Sequence, residues 1–407
     1  MADPFLPSSF STLTPAVDRN AGLDAARGFA ILGLIFCNMP GFASADHYRT
    51  WIGAAEPLTG GLAAGEFLLE FLLMGKCVAL LSFLLGAGMA LQYQRAEVAG
   101  QSFTELTARR MGALFGIGLL HIVFLWWGDI LCAYAILGFG LLLLHRTPPV
   151  ALRFIAAAGF GGSVLVAAAF GFLPGFNEPF DKETSMEVEK YLRVAEEAYR
   201  SGTLSEIFLT RMVEAFLTQL MLLFLIPLYL SVVLLGYDAI RSGWFPWAGT
   251  PIRPAVIGGL AVAGLALNGL AAWAAVTDPA MNRTYFIFVL VGVPGAFLLA
   301  AVYLWGLVRL PEGWMRSTLA YVGRTALSNY LLQSFFAAVI FHSWGFGLYG
   351  KLTFPQTLLA AAGIVLLQIA WPAWWLRHFR FGPMEYLWRL LAYGRAAGAF
   401  RRSHSNQ

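Results

Sequence analysis

The 407-residue chain carries 27 Lys and Arg against 23 Asp and Glu, a formal net charge of +4, yet only 12% of its residues are charged while 58% are hydrophobic. A soluble domain of this size uses about twice that share of charge to cover its surface. The balance excludes a secreted disulfide scaffold, a disordered chain and an ordinary cytosolic enzyme, and predicts an all-α polytopic membrane protein.

In chain order, residues 1–24 read as a short polar cytoplasmic lead without a signal-peptide pattern. Residues 25–377 read as a transmembrane bundle, and 378–407 as a cytoplasmic tail with an interfacial helix. Apolar runs of spanning length, at about 20 residues each, fall at 25–42, 63–92, 109–127, 129–145, 150–174, 208–237, 254–276, 284–308, 324–344 and 354–376. About ten helices result, with both termini on one side. Arg95, Arg109, Arg110, Arg146, Arg153, Arg241, Arg253, Arg309, Arg316 and Arg324 then cluster on that side, with further arginines in the tail. The positive-inside rule makes it cytoplasmic. The opposite loops, 43–62 and 175–207, include an acid-rich stretch from Asp181 to Ser201 whose periodicity predicts an amphipathic helix capping that face.

The three cysteines, Cys37, Cys77 and Cys132, sit in apolar runs and read as core packing. The six histidines are scattered without metal-ligand spacing, so no metal is expected. Arginines at segment ends, rather than on one exposed face, argue against a nucleic-acid partner. Membrane lipid is the expected surrounding, and a homodimer is compatible with the chain.

Ionisable and polar residues inside spans are the candidates for chemistry, because burying them there is costly. Asn38 precedes Pro40 at the end of the first span, with His47 in the following loop. An amide can donate to a developing oxyanion and an imidazole can take a proton. Glu66 and Glu70 share one helix face at i and i+4. Lys76 is too far along a continuous helix to pair locally with Glu70, so another helix is expected to supply its partner. His121 lies mid-span. Asp129, at a tight turn before Tyr134, could either cap the next helix or orient a histidine. Arg110 and Arg324 mark inner helix ends, Asn329 and Gln333 form a polar stripe, and Glu385 and Arg389 share a face of the tail helix. Each also admits a packing or topological role.

These motifs resemble the YeiB-like family of bacterial inner-membrane proteins, a domain of unknown function. The matching runs start at Arg27 (Arg-Gly-Phe-Ala-Ile-Leu-Gly-Leu, with Asn38 beyond), Phe83 (Phe-Leu-Leu-Gly-Ala-Gly) and Gly128 (Gly-Asp-Ile-Leu, with Tyr134 beyond). Two more start at Gly323 (Gly-Arg-Thr-Ala-Leu-Ser-Asn-Tyr-Leu-Leu-Gln-Ser) and Phe381 (Phe-Gly-Pro-Met-Glu-Tyr-Leu-Trp-Arg). The first third is also remotely similar to the lysosomal heparan-alpha-glucosaminide N-acetyltransferase and its transmembrane acyltransferase relatives. That resemblance implies catalytic roles for Asn38 and His47, and transfer of an acyl group from cytosolic acetyl-CoA or another acyl-CoA to an extracytoplasmic small-molecule or glycan acceptor. Arg110, Arg324, Asn329, Gln333 and Arg389 would meet the cofactor. Glu66, Glu70, Lys76, His121, Asp129, Tyr134 and Glu385 would line a polar cavity. A permease for a small amphiphile, using Glu66, Glu70, Lys76 and His121, is the alternative, and a non-catalytic membrane scaffold is a third reading.

Overall fold

The computed structural model describes residues 20–51, 59–170, 181–245, 252–277, 288–394 and 400, apart from the side chains at 47, 50, 51, 170, 288 and 289. Most of the expected lead and the end of the tail lie outside these residues. Among the described residues the chain is helical, with no strand. The helices are α1 (Ala21–Ala43), α2 (Asp46–Trp51), α3 (Gly60–Leu72), α4 (Lys76–Val98), α5 (Phe103–Phe124), α6 (Leu131–Leu144), α7 (Pro149–Phe170) and α8 (Lys182–Ser201). They continue with α9 (Leu204–Arg241), α10 (Pro254–Thr277), α11 (Val293–Val308, preceded by a π-helical turn at Phe288–Gly292), α12 (Trp314–Arg324), α13 (Ala326–Phe341), α14 (Phe354–His378) and α15 (Pro383–Tyr393).

Among the described residues eight segments are long and apolar enough to cross a membrane, and α6 and α13 are shorter apolar helices. The chain is a multi-pass membrane protein. Capping follows local sequence. Asn20 accepts from the backbone N–H of Gly22 and Leu23, and Thr203 and Glu206 form a reciprocal capping box on the 38-residue α9. The amphipathic stretch folds as α8, with Asp181 accepting from Thr184 N at 2.8 Å.

The bundle has two ends. At the basic end, Arg153 pairs with Asp238 at 2.7 Å and Arg241 donates to the carbonyls of His145 and Thr147. At the other end α8 covers the start of α9. At two of the helix crossings among the described residues a glycine on each helix meets the other's backbone. A Cβ on Gly28 would collide with the Leu319 carbonyl and one on Gly323 with that of Asp24, so α1 and α12 cross at glycine. Gly86 meets the Val233 carbonyl and Gly236 that of Phe83, locking α4 to α9 in the same way. The glycines of three sequence motifs are therefore crossing points.

The run 63–92, expected as one span, is broken. The chain turns at Leu73–Gly75, where Gly75 takes φ +77°, and restarts at Lys76. The break supplies what a continuous helix could not. Lys76, 2% exposed, turns back and donates from Nζ to the Glu70 main-chain carbonyl at 2.6 Å. Its partner is thus on another helix, the preceding α3, brought within reach by the turn.

Candidate functional site

The site begins at the turn between α5 and α6. His121, in the last turn of α5, and Asp129, two residues before α6, have fully buried side chains, and Nδ1 of His121 meets Oδ2 of Asp129 at 2.8 Å. The other oxygen of Asp129 accepts from Cys132 N at 2.8 Å. The carboxylate therefore does both things its sequence position allowed: it caps α6 and orients the histidine. Gly118, one turn before His121, makes room for this, since a Cβ there would lie 2.7 Å from Cys132 Sγ and 2.9 Å from Asp129 Oδ1.

The turn is held from both sides. Gln219 on α9 donates to the Asp129 carbonyl at 3.0 Å and Arg211 donates to the Val123 carbonyl at 2.8 Å. Tyr330 on α13 packs its ring 5.1 Å from that of His121 and accepts from Ile130 N. With Nδ1 occupied, Nε2 of His121 is buried without a partner. An imidazole fixed at one nitrogen by a carboxylate and unpartnered at the other has the form of a general base.

His121 also lines a cavity of about 770 Å³ between α5, α13 and α15. The cavity starts at Arg109, which pairs with Glu105 at 2.8 Å, and runs past Gly112, Gly116, Leu331, Met384 and Leu387 to Phe124 and Leu125. Small residues on α5 and aliphatic side chains opposite give it an almost wholly apolar wall. From Arg109 to Leu125 the helix rises about 24 Å.

At the mouth, Arg110 is gathered into α15. It donates to Tyr393 Oη at 2.6 Å, its guanidinium lies 4.3 Å from the Trp388 ring, and Trp388 Nε1 donates back to the Arg110 carbonyl. Arg389 lies over Phe381 at 4.4 Å and Tyr393 at 5.3 Å, so Arg110 and Arg389 share one aromatic surface. Arg324, at the end of α12, lies 5.9 Å from the Tyr321 ring.

Glu385 caps α13 from a different helix. It accepts from Leu327 N at 2.7 Å and from the N–H and hydroxyl of Ser328. Burial raises its carboxyl above the usual range, against the pull of these donors.

Asn329 and Gln333 are fully buried inside the bundle. Asn329 donates to Thr325 and accepts from Trp371, and Gln333 accepts from Gln368 on α14. Tyr134 donates to the Val78 carbonyl at 3.3 Å. Glu70 and Lys76 line a separate small cavity of about 100 Å³, together with Tyr229, Asn268 and Gly292 of the π-helical turn. Glu66, one turn before Glu70, is half-buried. Asn38 lies on the last third of α1, half-buried, with Nδ2 unpartnered. The His47 backbone belongs to α2, and its side chain lies outside the described residues.

A further cluster escaped the sequence reading. Under α8, Tyr199 donates to Glu214 at 2.5 Å and stacks between His342 (4.8 Å) and Tyr349 (4.9 Å). Arg211 and Glu214 are 4% and 1% exposed. His342 is 3% exposed beside them. The available signal was two opposite charges three residues apart at the head of an apolar run.

A family model described as a protein of unknown function, DUF418, matches residues 239–395. The chain is 32% identical to the uncharacterized protein YxaH of Bacillus subtilis over 403 residues, covering 94% of this chain and 97% of that one. It is 28% identical to the uncharacterized protein YeiB of Escherichia coli, covering 94% and 98%. An uncharacterized 39.9 kDa protein from Bacillus acidopullulyticus is 26% identical, covering 93% and 96%. No solved structure matches the chain.

Proposed function

The chain belongs to the DUF418 family of YeiB-like proteins, and from that premise we propose that it is a bacterial inner-membrane acyltransferase, drawing acyl groups from cytosolic acyl-CoA. The observation that carries the reading is His121, fixed by Asp129 at Nδ1, unpartnered at Nε2, and among the residues lining an apolar cavity that begins at Arg109. The basic end faces the cytosol under the positive-inside rule. Arg109, with Arg110 and Arg389 beside it, meets the phosphates of the donor. The pantetheine arm lies along the glycine face of α5, with its thioester towards His121.

Nε2 of His121 takes the proton from an acceptor hydroxyl or amine. The acceptor oxygen or nitrogen attacks the thioester carbonyl, the C–S bond breaks, and CoA leaves as a thiol with the proton from the imidazolium. Asp129 stabilises that imidazolium and keeps its tautomer. Asn38 remains the candidate donor to the oxyanion, and His47 the competing base.

The test is transfer of labelled acetyl from acetyl-CoA in proteoliposomes. His121→Ala is expected to lower the rate by at least about a hundredfold, within the range that general-base catalysis supplies. Full activity in that variant, with loss in His47→Ala, would return the base to the loop. A permease is the second reading, favoured by the broken α3–α4 segment and the buried Lys76 at its cavity, an arrangement that transporters use for substrate sites. Solute uptake without acyl-CoA dependence would select it.

A further inference from the structure

We propose that the buried cluster where α8 covers the ends of α9 and α13 is a binding site for a small, neutral, polyhydroxylated molecule, a sugar or polyol, held chiefly by Glu214 and Arg211. That this molecule is the acyl acceptor rests on the acyl-transfer reading; that it binds does not.

Four polar atoms in one place lack partners: Glu214 Oε1, Arg211 Nε, His342 Nδ1 and Tyr349 Oη. Their residues are between 1% and 4% exposed. They form one neighbourhood, because Tyr199 bonds Glu214 and packs its ring against those of His342 and Tyr349. Buried polar groups in folded proteins are paired almost without exception, and each failure calls for an explanation. Four together mark a place built to be completed by something else.

Their chemistry says what kind of molecule. Arg211 offers an N–H, Glu214 offers a carboxylate oxygen, and the Tyr349 hydroxyl can do either. The cation Arg211 and the anion Glu214 offset each other and leave no excess charge to attract an ion. The complement is a molecule whose adjoining atoms both donate and accept, which is the property of neighbouring hydroxyls. Tyr199, packed against both rings, holds His342 and Tyr349 in place beside the charged pair.

Access is through α8. Arg49 on α2 clasps it by pairing with Glu189 at 3.2 Å and Glu196 at 2.9 Å. Arg200 donates to the Tyr349 carbonyl at 3.0 Å, so lifting α8 also frees a residue of the site. Through Arg211 and Val123 the site is anchored two residues from His121.

The experiment titrates the full-length protein in nanodiscs with D-glucose, ethanolamine and inorganic phosphate, reading the melting temperature, with acetyl-CoA as a parallel ligand. D-glucose is expected to stabilise saturably, and Glu214→Gln to weaken that response about tenfold while leaving the response to acetyl-CoA intact. Tyr349→Phe, which keeps the ring and removes only the hydroxyl, serves if Glu214→Gln does not fold, with the same expectation. Stabilisation by ethanolamine or phosphate in place of glucose overturns the proposal. So does a glucose response unchanged in both variants, or no response to any of the three, which would leave ordered water as the occupant. A glucose response without an acetyl-CoA response would sustain the site and remove the acyl-transfer reading.

Discussion

At the scale of single residues, Asp129 is where the proposed catalysis can be separated from folding. Its two oxygens serve two partners, Cys132 N and His121. Asparagine caps helices as well as aspartate but cannot stabilise an imidazolium. Asp129→Asn is therefore expected to melt near the native temperature and to lose most acetyl transfer, whereas Asp129→Ala loses both. Comparing melting curves with transfer rates checks this. Glu385 makes the opposite case. Its removal leaves two backbone N–H groups of α13 and the Ser328 hydroxyl without an acceptor, and Glu385→Ala is expected to cost about 1–3 kcal/mol, read from denaturant unfolding. The sequence singled out both residues. It offered both roles for Asp129, and only the fold revealed that Glu385 acts on another helix, a relation across 57 positions.

Among the elements, the glycine crossings and the α8 clasp are the parts most open to test. Alanine at Gly28 or Gly86 sets a Cβ against a backbone carbonyl that cannot rotate away. Each is expected to destabilise by about 1–3 kcal/mol, measured as a shift of the unfolding midpoint. In the clasp, the hydrogen bond from Arg49 holds the Glu189 carboxyl below the usual carboxylate range. A depressed carboxyl contributes its stabilisation above the ordinary Glu value of about 4.3, and loses it as pH falls through the lower, folded value. A spin label at Lys190 is expected to gain mobility as pH drops below about 4, and Arg49→Ala to be mobile throughout. The helices were legible because apolar runs of this length have few alternatives in a membrane. The α3–α4 break was not, since nothing in the apolar run announced that Gly75 would take positive φ. Arg211 and Glu214 were overlooked because they fall at the edge of a span, where charge is ordinary. Burial comes only from the fold, where Tyr199 of α8 and Val123 at the end of α5 close on them.

For the whole molecule, topology is the property to establish, because acyl transfer needs its donor and acceptor on opposite sides. Val98 is 92% exposed at the end of α4 on the basic face, and Lys190 lies on α8. In intact cells, Lys190→Cys is expected to react with an impermeant maleimide and Val98→Cys only after permeabilisation. The native cysteines, two buried and one half-buried in the bundle, give a low background. The expectation rests on charge distribution, since so few charges are available that their placement carries the information.

The 38 residues of α9 have a further consequence. As a continuous helix they measure about 57 Å, against about 30 Å of hydrocarbon. The excess must tilt within the bilayer or stand clear of it, and α9 carries at its head both the charged pair and the lid packed over them. The position of that cluster is thus coupled to membrane thickness through one helix, in which Pro227 marks the place where it can bend. Reconstitution into lipids of graded acyl length should tune ligand affinity there, with hydrophobic mismatch acting as an elastic load on the lid.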